Sequence, residues 1–172
     1  VGGYYGAVLA KAGHDVLFIA RGEHAEAMEL NGLTINSVTS NDFRLQNVFV
    51  KQDLDRSFEP ELVLYCVKGY SNLEAIKIIK PAVGNKTHIL TLQNGLGSGD
   101  ALQDAFNEAS ILLGATYIDA SVEAPGVINE YGGSCSIVFG SKIENQHNSV
   151  IAINETMVNA GINSQISADI MS

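Results

Sequence analysis

Two segments near the start of the chain carry residues suited to binding a phosphorylated nucleotide. Gly2 and Gly6 open a predicted helix, where a glycine lets the main chain approach a pyrophosphate and free N–H groups attract anions. Arg21 directly follows the apolar run at residues 16–20, which is typical of a strand. A guanidinium there can bind a 2′-phosphate, as in NADP, whereas a carboxylate would bind the ribose hydroxyl of NAD. The glycines fit close helix–strand packing equally well, but Arg21 favours a phosphate contact over a solvated loop position.

Two further polar residues follow predicted strands. Lys68 ends the apolar run at residues 62–67, and Asn94 lies in the glycine-rich segment 93–97 directly after the run at 88–92. The carboxyl ends of parallel strands meet at the edge of a sheet where ligands bind. A lysine there can hold a ribose hydroxyl or a carboxylate, and an asparagine amide both donates and accepts hydrogen bonds. A surface lysine and a simple Asn-Gly turn remain open as structural explanations.

Other catalytic signatures are absent from the sequence. Ser98, Thr91 and Ser121 have no partnered histidine nearby in sequence, and no phosphate-binding motif of the form G-x-x-x-x-G-K-[ST] occurs. The 4 histidines are scattered and none has a metal-ligand spacing to a cysteine or to another histidine. We therefore expect no metal site.

Apolar strand-like runs alternate with helical stretches along the whole chain. The predicted strands are residues 16–20, 33–38, 44–50, 62–67, 88–92, 111–117, 127–131, 136–140 and 162–166. The predicted helices are the opening segment and residues 23–30, 72–79, 100–106 and 150–160. This alternation predicts an α/β fold with a doubly wound, mostly parallel sheet covered on both faces. The polar strands 33–38 and 44–50, with a turn at 40–42 between them, are expected to form a hairpin.

Composition limits the class of protein. The chain has 172 residues, 46% of them hydrophobic and 17% charged, which predicts one globular domain over residues 1–172. A net charge of −9 argues against a nucleic-acid partner. No apolar run approaches the length of about 18 residues that a membrane helix needs. Cys66 and Cys135 make no disulfide framework, and Cys66 is expected to be a buried thiol, which fits a reducing, cytoplasmic setting.

The first residues match only the second half of a dinucleotide-binding unit. Gly2 stands where the last glycine of G-x-G-x-x-G would be, so we expect the opening strand and two glycines to be missing. That strand lies in the middle of a Rossmann sheet. Without it, two strands would lack a neighbour unless another segment fills the place. An exposed edge of this kind can drive self-association into a homo-oligomer.

The segments in combination resemble the N-terminal, NADP-binding domain of the ketopantoate reductase (2-dehydropantoate 2-reductase) family. The matching segments, in the order of the family, are VGGYYGA (1–7), AGHDV (12–16), IARG (19–22), CVKGY (66–70), LQNGLG (92–97), LGATY (113–117) and APGVI (124–128). They span nearly the whole chain. The resemblance implies an NADPH-dependent oxidoreductase that reduces a small 2-oxo acid, ketopantoate, to pantoate on the route to pantothenate and coenzyme A.

The resemblance also assigns roles to individual residues. Val1 and Gly2 would end the phosphate-binding turn, and Arg21 would meet the 2′-phosphate. Lys68 and Asn94 would line the nicotinamide end, with Asn94 also touching the substrate. Ala120 would contact the cofactor through its main chain, in a loop of variable length at residues 119–124.

The catalytic residues of the family belong to a helical second domain. A lysine there serves as general acid, and the family pattern places it just beyond Ser172. We therefore expect no catalytic residue in these 172 residues and no turnover by them alone. Two alternatives stay open: a paralogous reductase of another 2-oxo acid or ketone, and a nucleotide-binding module without catalysis.

Overall fold

A computed structural model of the chain describes residues 1–93, 98–107, 109–141, 143 and 146–167. In these residues the main chain forms five α-helices and nine β-strands, with a 3-10 turn over Gly69–Ser71. The helices are α1 (Gly2–Lys11), α2 (Gly22–Asn31), α3 (Asn72–Ile79), α4 (Ser98–Ala105) and α5 (His147–Asn159). The strands are β1 (Leu17–Ile19), β2 (Leu33–Ser37), β3 (Phe43–Leu45), β4 (Phe49–Lys51), β5 (Leu62–Tyr65), β6 (His88–Thr91), β7 (Ser110–Ala124), β8 (Val127–Gly140) and β9 (Asn163–Ile166).

The chain divides into two compact units whose sequence ranges alternate. The first unit comprises Val1–Gln52, Tyr117–Ser136 and Thr156–Asn163. The second comprises Asp53–Thr116, Ile137–Glu155 and Ser164–Ser172. Strands β7 and β8 each contribute residues to both units. That the whole chain is one nucleotide-binding domain stays a prediction.

In the first unit, short strands pair with partners distant in sequence. β1 pairs in parallel with β4, with Leu17 opposite Phe49. β2 pairs antiparallel with β3 and parallel with β8, with Thr34 opposite Val127. The sequence predicted one strand at residues 44–50, and this was wrong. A bend at residues 46–47 divides it, so that β3 completes the predicted hairpin and β4 leaves to join β1.

In the second unit, β5, β6 and β7 form a parallel ladder. His88 of β6 lies opposite Leu62 on one side and Ser110 on the other. Such strands need long crossover connections, which here contain α3 and α4. Apolar side chains from these strands and helices form one core, whose buried members are Tyr65, Ile79, Ile89, Leu102, Phe106, Ala109 and Ile111.

β7 and β8 are much longer than the sequence predicted. β7 runs on to Ala124 instead of ending near residue 117, and β8 is one strand where two short ones were expected. Only Pro125 and Gly126 connect the two strands, and a two-residue connection requires antiparallel pairing. Gly126 has a φ of 74°, a backbone conformation that glycine adopts without a steric penalty.

The pairings confirm an α/β architecture with a mostly parallel sheet. Hydrogen-bonded neighbours follow the order β3-β2-β8-β7-β6-β5, and β9 pairs with β8. β1 and β4 form a separate pair. In the described part of the chain, β1 has only β4 beside it and β5 has only β6, so each has one open edge. Among the same residues, no helix has the length and apolar character needed to cross a membrane.

Candidate functional site

The start of α1 presents main-chain N–H groups, and its first turn contains no carboxylate. Val1 is the N-cap, and its carbonyl accepts the first helical hydrogen bond from the Tyr5 N–H over 3.1 Å. No side chain caps this end, and the first turn contains no acidic residue. The positive end of the helix dipole is therefore not neutralised from within the helix, which suits an anion such as a pyrophosphate. Gly2, the first helical residue, is partly exposed.

The next glycines of α1 serve packing. A Cβ on Gly6 would lie 2.8 Å from Cε1 of Phe18, a buried residue of β1. A Cβ on Gly3 would collide with Cδ1 of Ile128, a buried residue of β8. Gly3 and Gly6 therefore let α1 approach the strands. A ligand contact of Gly2 stays a prediction.

Arg21 lies at the junction between β1 and α2. The last hydrogen bond of the β1–β4 ladder runs from the Ala20 N–H to the Lys51 carbonyl over 3.2 Å. Arg21 follows in an extended conformation, with φ −136° and ψ 159°, and is the N-cap of α2. Arg21 is an exposed residue. Arg21 thus lies after a strand and before a helix, as the sequence predicted. Its contact with a phosphate stays a prediction.

Lys68 follows β5 at a greater distance than the sequence suggested. β5 ends at Tyr65, so Lys68 lies three residues beyond the strand and before the 3-10 turn. Its carbonyl accepts a hydrogen bond from the Ser71 N–H over 2.8 Å, which closes that turn. Lys68 is exposed, and Tyr70 in the turn has 91% of its surface exposed.

A hydrogen-bond network surrounds the segment that carries Lys68. Gln93 Nε2 donates to the Val67 carbonyl over 2.7 Å and to Asn72 Oδ1 over 2.6 Å. The Tyr65 hydroxyl also donates to Asn72 Oδ1, over 3.3 Å. Burial raises the pKa of Tyr65 to about 12, so it remains a donor at all ordinary pH values. We refer to Gln93, Asn72 and Tyr65 as the amide network.

Sequence reasoning missed the members of this network as site residues. Gln93 belongs to the segment singled out after β6, but attention fell on Asn94, which lies outside the described residues. The signals that could have found the network are an amide directly after a buried strand and an asparagine at the first position of a helix. Neither signal says which carbonyl an amide reaches, because that depends on pairing between distant strands.

Ala120 is in a strand and not in a loop. The expected loop at residues 119–124 is the outer part of β7, and Ala120 is half-buried in it. The prediction of a loop there was wrong because the hairpin extends to Pro125. A main-chain contact of Ala120 with a cofactor stays a prediction. Val1, Gly2, Arg21 and Ala120 belong to the first unit, and Lys68 to the second.

The first unit also contains a buried carboxylate. Glu130 of β8 has 1% of its surface exposed, and its Oε2 accepts hydrogen bonds from the Ser37 hydroxyl (2.5 Å), the Thr39 hydroxyl (2.7 Å) and the Thr39 N–H (3.1 Å). Burial by itself raises the pKa of Glu130, but these hydrogen bonds outweigh it and lower the pKa to about 2. The ionised carboxylate thus fastens the segment after β2 to β8.

Comparison with known proteins gives a family match over most of the chain. Residues 1–144 match the family model described as ketopantoate reductase PanE/ApbA. A 2-dehydropantoate 2-reductase of Pyrococcus abyssi (strain GE5 / Orsay) is 30% identical over 173 residues, which cover 100% of this chain and 55% of that protein. The chain spans about half the length of the curated relatives it matches.

Solved structures agree on the fold. The crystal structure of 2-dehydropantoate 2-reductase from Porphyromonas gingivalis W83 superposes with a TM-score of 0.88 at 30% identity, covering 98% of this chain and 61% of that one. The ternary structure of D-mandelate dehydrogenase with NADH and anilino(oxo)acetate gives the same TM-score of 0.88 at 21% identity, covering 98% and 54%. At that identity the likeness concerns the fold alone.

Proposed function

Because the chain belongs to the ketopantoate reductase PanE/ApbA family, we propose that it is the NADPH-binding part of a reductase that converts 2-dehydropantoate to pantoate. This places the chain on the route to pantothenate and coenzyme A. A cytoplasmic setting is part of the proposal, and the two free cysteines support it.

The observation that carries the proposal is the position of Arg21. Arg21 is an exposed residue between β1 and α2, and a guanidinium at this position can form paired hydrogen bonds with a phosphate, which the 2′-phosphate of NADPH supplies and NADH lacks. The uncapped start of α1, without an acidic residue in its first turn, suits the pyrophosphate of the same cofactor. The residues present therefore fit a phosphorylated dinucleotide.

The residues of this chain bind and orient, and they do not supply the proton. The cofactor supplies the hydride that reduces the 2-oxo carbon. We propose that Val1 and Gly2 hold the pyrophosphate, Arg21 the 2′-phosphate, and Lys68 and Asn94 the nicotinamide end and the substrate. Holding the reactants in place lowers the barrier without any change of protonation in these groups. None of these groups is proposed as the proton donor, so their contribution can be measured by NADPH binding without turnover.

Nucleotide binding by the 172-residue chain tests the proposal directly. Dissociation constants for NADPH and NADH can be measured by nicotinamide fluorescence for the unaltered chain and for Arg21→Ala. Since hydrogen bonds to charged groups contribute about 1.5–3 kcal/mol, the substitution should weaken NADPH binding by roughly 10- to 100-fold and leave NADH binding nearly unchanged. Arg56→Ala, which removes another exposed arginine, is the matched control. Equal affinity for the two cofactors in the unaltered chain would contradict the proposal.

Two alternatives retain the nucleotide site and differ in the reaction, if any, that the bound nucleotide takes part in. A paralogous reductase of another 2-oxo acid or ketone is compatible with the same fold, because fold does not determine substrate. A binding module without catalysis is the second alternative. Turnover of a panel of 2-oxo acids by the full-length protein separates all three, since ketopantoate should be the preferred substrate in the first case and no 2-oxo acid should react in the last.

A further inference from the structure

We infer that Gln93 is a positioning residue for Lys68, holding the main chain before the 3-10 turn that Lys68 precedes and the Asn72 side chain after that turn. The inference rests on the proposed function, because it assumes that Lys68 meets the nicotinamide end of the cofactor. Gln93 reaches the Val67 carbonyl, one residue before Lys68, and the Asn72 side chain, one residue after the turn.

The orientation of the Gln93 amide follows from its partners. A main-chain carbonyl can only accept a hydrogen bond, so the group that faces the Val67 oxygen at 2.7 Å must be the amide nitrogen. Its second proton is directed to Asn72 Oδ1, which also accepts from the Tyr65 hydroxyl. Both amide protons are therefore used, and both bonds end on residues that flank the Lys68 turn.

The two hydrogen bonds of Gln93 hold a segment that has no regular structure of its own. Residues 66–68 connect β5 to the 3-10 turn without belonging to either, and Lys68 itself is exposed. Fixing the main chain of a residue costs conformational entropy, which a ligand would otherwise have to offset on binding. A segment held in advance by Gln93 presents Lys68 to a ligand without that cost.

Space filling alone does not account for a glutamine here. Gln93 Oε1 is buried, and within the described part of the chain it has no hydrogen-bond donor. An unpaired buried acceptor destabilises a fold. An apolar side chain of similar size would avoid that cost, so the benefit of the glutamine must come from the two bonds that its nitrogen makes.

A comparison of two probes tests the inference. NADP⁺ carries the nicotinamide and 2′-phospho-ADP-ribose lacks it, so the dissociation constant of 2′-phospho-ADP-ribose divided by that of NADP⁺ measures the contribution of the nicotinamide end. We expect Gln93→Met and the isosteric Gln93→Glu, neither of which can donate to the Val67 carbonyl at neutral pH, to lower this ratio about 5- to 10-fold. Lys68→Ala should lower it at least as much.

Thr87→Val provides the matched control. Thr87 is fully buried before the first residue of β6, and its hydroxyl accepts a hydrogen bond from the Gly84 N–H over 3.2 Å. Its loss removes a buried side-chain hydrogen bond from the same unit at the opposite end of the strand that Gln93 follows. A thermal unfolding curve for each variant establishes that it is folded. Thr87→Val should leave the probe ratio unchanged, whatever it does to stability.

The outcomes distinguish the role of Gln93 from the proposed function. A lowered ratio in both Gln93 variants and in Lys68→Ala, but not in Thr87→Val, supports the inference. An unchanged ratio in the Gln93 variants, alongside a lowered ratio in Lys68→Ala, overturns the inference and leaves the proposed function intact. If the unaltered chain binds neither probe, the proposed function fails and the role of Gln93 fails with it.

Amide hydrogen exchange gives a readout that does not depend on affinity. In the chain without nucleotide, the Ser71 N–H, which closes the Lys68 turn, should exchange several-fold faster in Gln93→Met than in Thr87→Val. Equal exchange in the two variants would show that Gln93 does not hold the turn and would overturn the inference.

Discussion

The Thr39 hydroxyl donates a hydrogen bond to the buried Oε2 of Glu130 across 2.7 Å, joining residues 91 positions apart in sequence. Thr39 follows β2. Glu130 lies in β8, where it is paired in parallel with Ser37 of β2. The carboxylate thus receives donors from both the strand and the segment that follows it. A single ionised group holds the turn of the β2–β3 hairpin against its neighbouring strand.

Glu130→Gln should destabilise the chain by roughly 1–3 kcal/mol at pH 7, because the charge-assisted hydrogen bonds become neutral ones. Urea unfolding followed by circular dichroism measures the change. Glu29→Gln, which removes an exposed carboxylate of α2, is the control and should change stability little. Equal stability of the two variants would show that the buried carboxylate contributes nothing.

The stabilisation by Glu130 should disappear in acid. Its pKa is lowered from 4.5 to about 2 in the folded chain, so the unfolded chain takes up this proton first as the pH falls. The contribution is therefore complete above pH 4.5 and is lost progressively toward pH 2. The difference in unfolding free energy between the unaltered chain and Glu130→Gln should shrink over that range. A difference that stays constant would contradict the assignment.

His24 should make the fold sensitive to mild acid. Its Nδ1 accepts a hydrogen bond from the Gly126 N–H over 3.1 Å, and burial lowers its pKa from 6.5. The neutral ring therefore stabilises the folded chain above pH 6.5, and this contribution is lost as the pH falls below that value. The stability difference between the unaltered chain and His24→Ala should shrink from pH 7.5 to pH 5. A stability difference that stays constant between pH 7.5 and pH 5 would contradict this role of His24.

The two cysteines should differ in reactivity. Burial raises the pKa of the Cys66 thiol to about 12, and the thiolate is the form that reacts. Both cysteines are half-exposed as residues, and the Cys135 sulfur lies 3.3 Å from the Thr39 hydroxyl. Iodoacetamide at pH 8 should label Cys135 first and Cys66 only after denaturation, as read by peptide mass spectrometry. Cys135→Ser should then take up no label while folded. Cys66 is not the fully buried thiol that the sequence predicted, and native labelling of Cys66 as fast as that of Cys135 would contradict the expected difference.

Gly6→Ala should destabilise the chain by about 1–2 kcal/mol, since the new methyl group overlaps the Phe18 ring and overpacking outweighs the gain in helix propensity. Thermal unfolding measures the loss. Gly69→Ala is the matched control, because a Cβ there meets no atom within 4 Å. The preference for NADPH over NADH should be unchanged in Gly6→Ala, as expected of a packing residue. A changed preference for NADPH over NADH would indicate that Gly6 contributes to the phosphate site.

The sequence by itself determined the elements whose causes are local. The pattern at residues 72–79 predicted α3 to the residue, and the helix predicted at residues 23–30 lies one residue inside each end of α2. Gly32 follows α2 with a φ of 76°, and a Cβ there would collide with the Leu45 carbonyl, so a glycine is required at the end of this helix. Alternating strands and helices likewise predicted a mostly parallel sheet. The order of the sequence motifs was enough to predict the family to which the chain belongs.

Only the tertiary structure decided what depends on pairing between distant segments. β4 was assigned to a hairpin by its neighbours in sequence, yet it lies beside β1, 32 positions away at Leu17 and Phe49. The burial of Glu130 and the reach of Gln93 to Val67 follow from strand pairing in the same way. A side chain's type sets which bonds it can make, but the register of the sheet sets which atoms come within 3 Å of it.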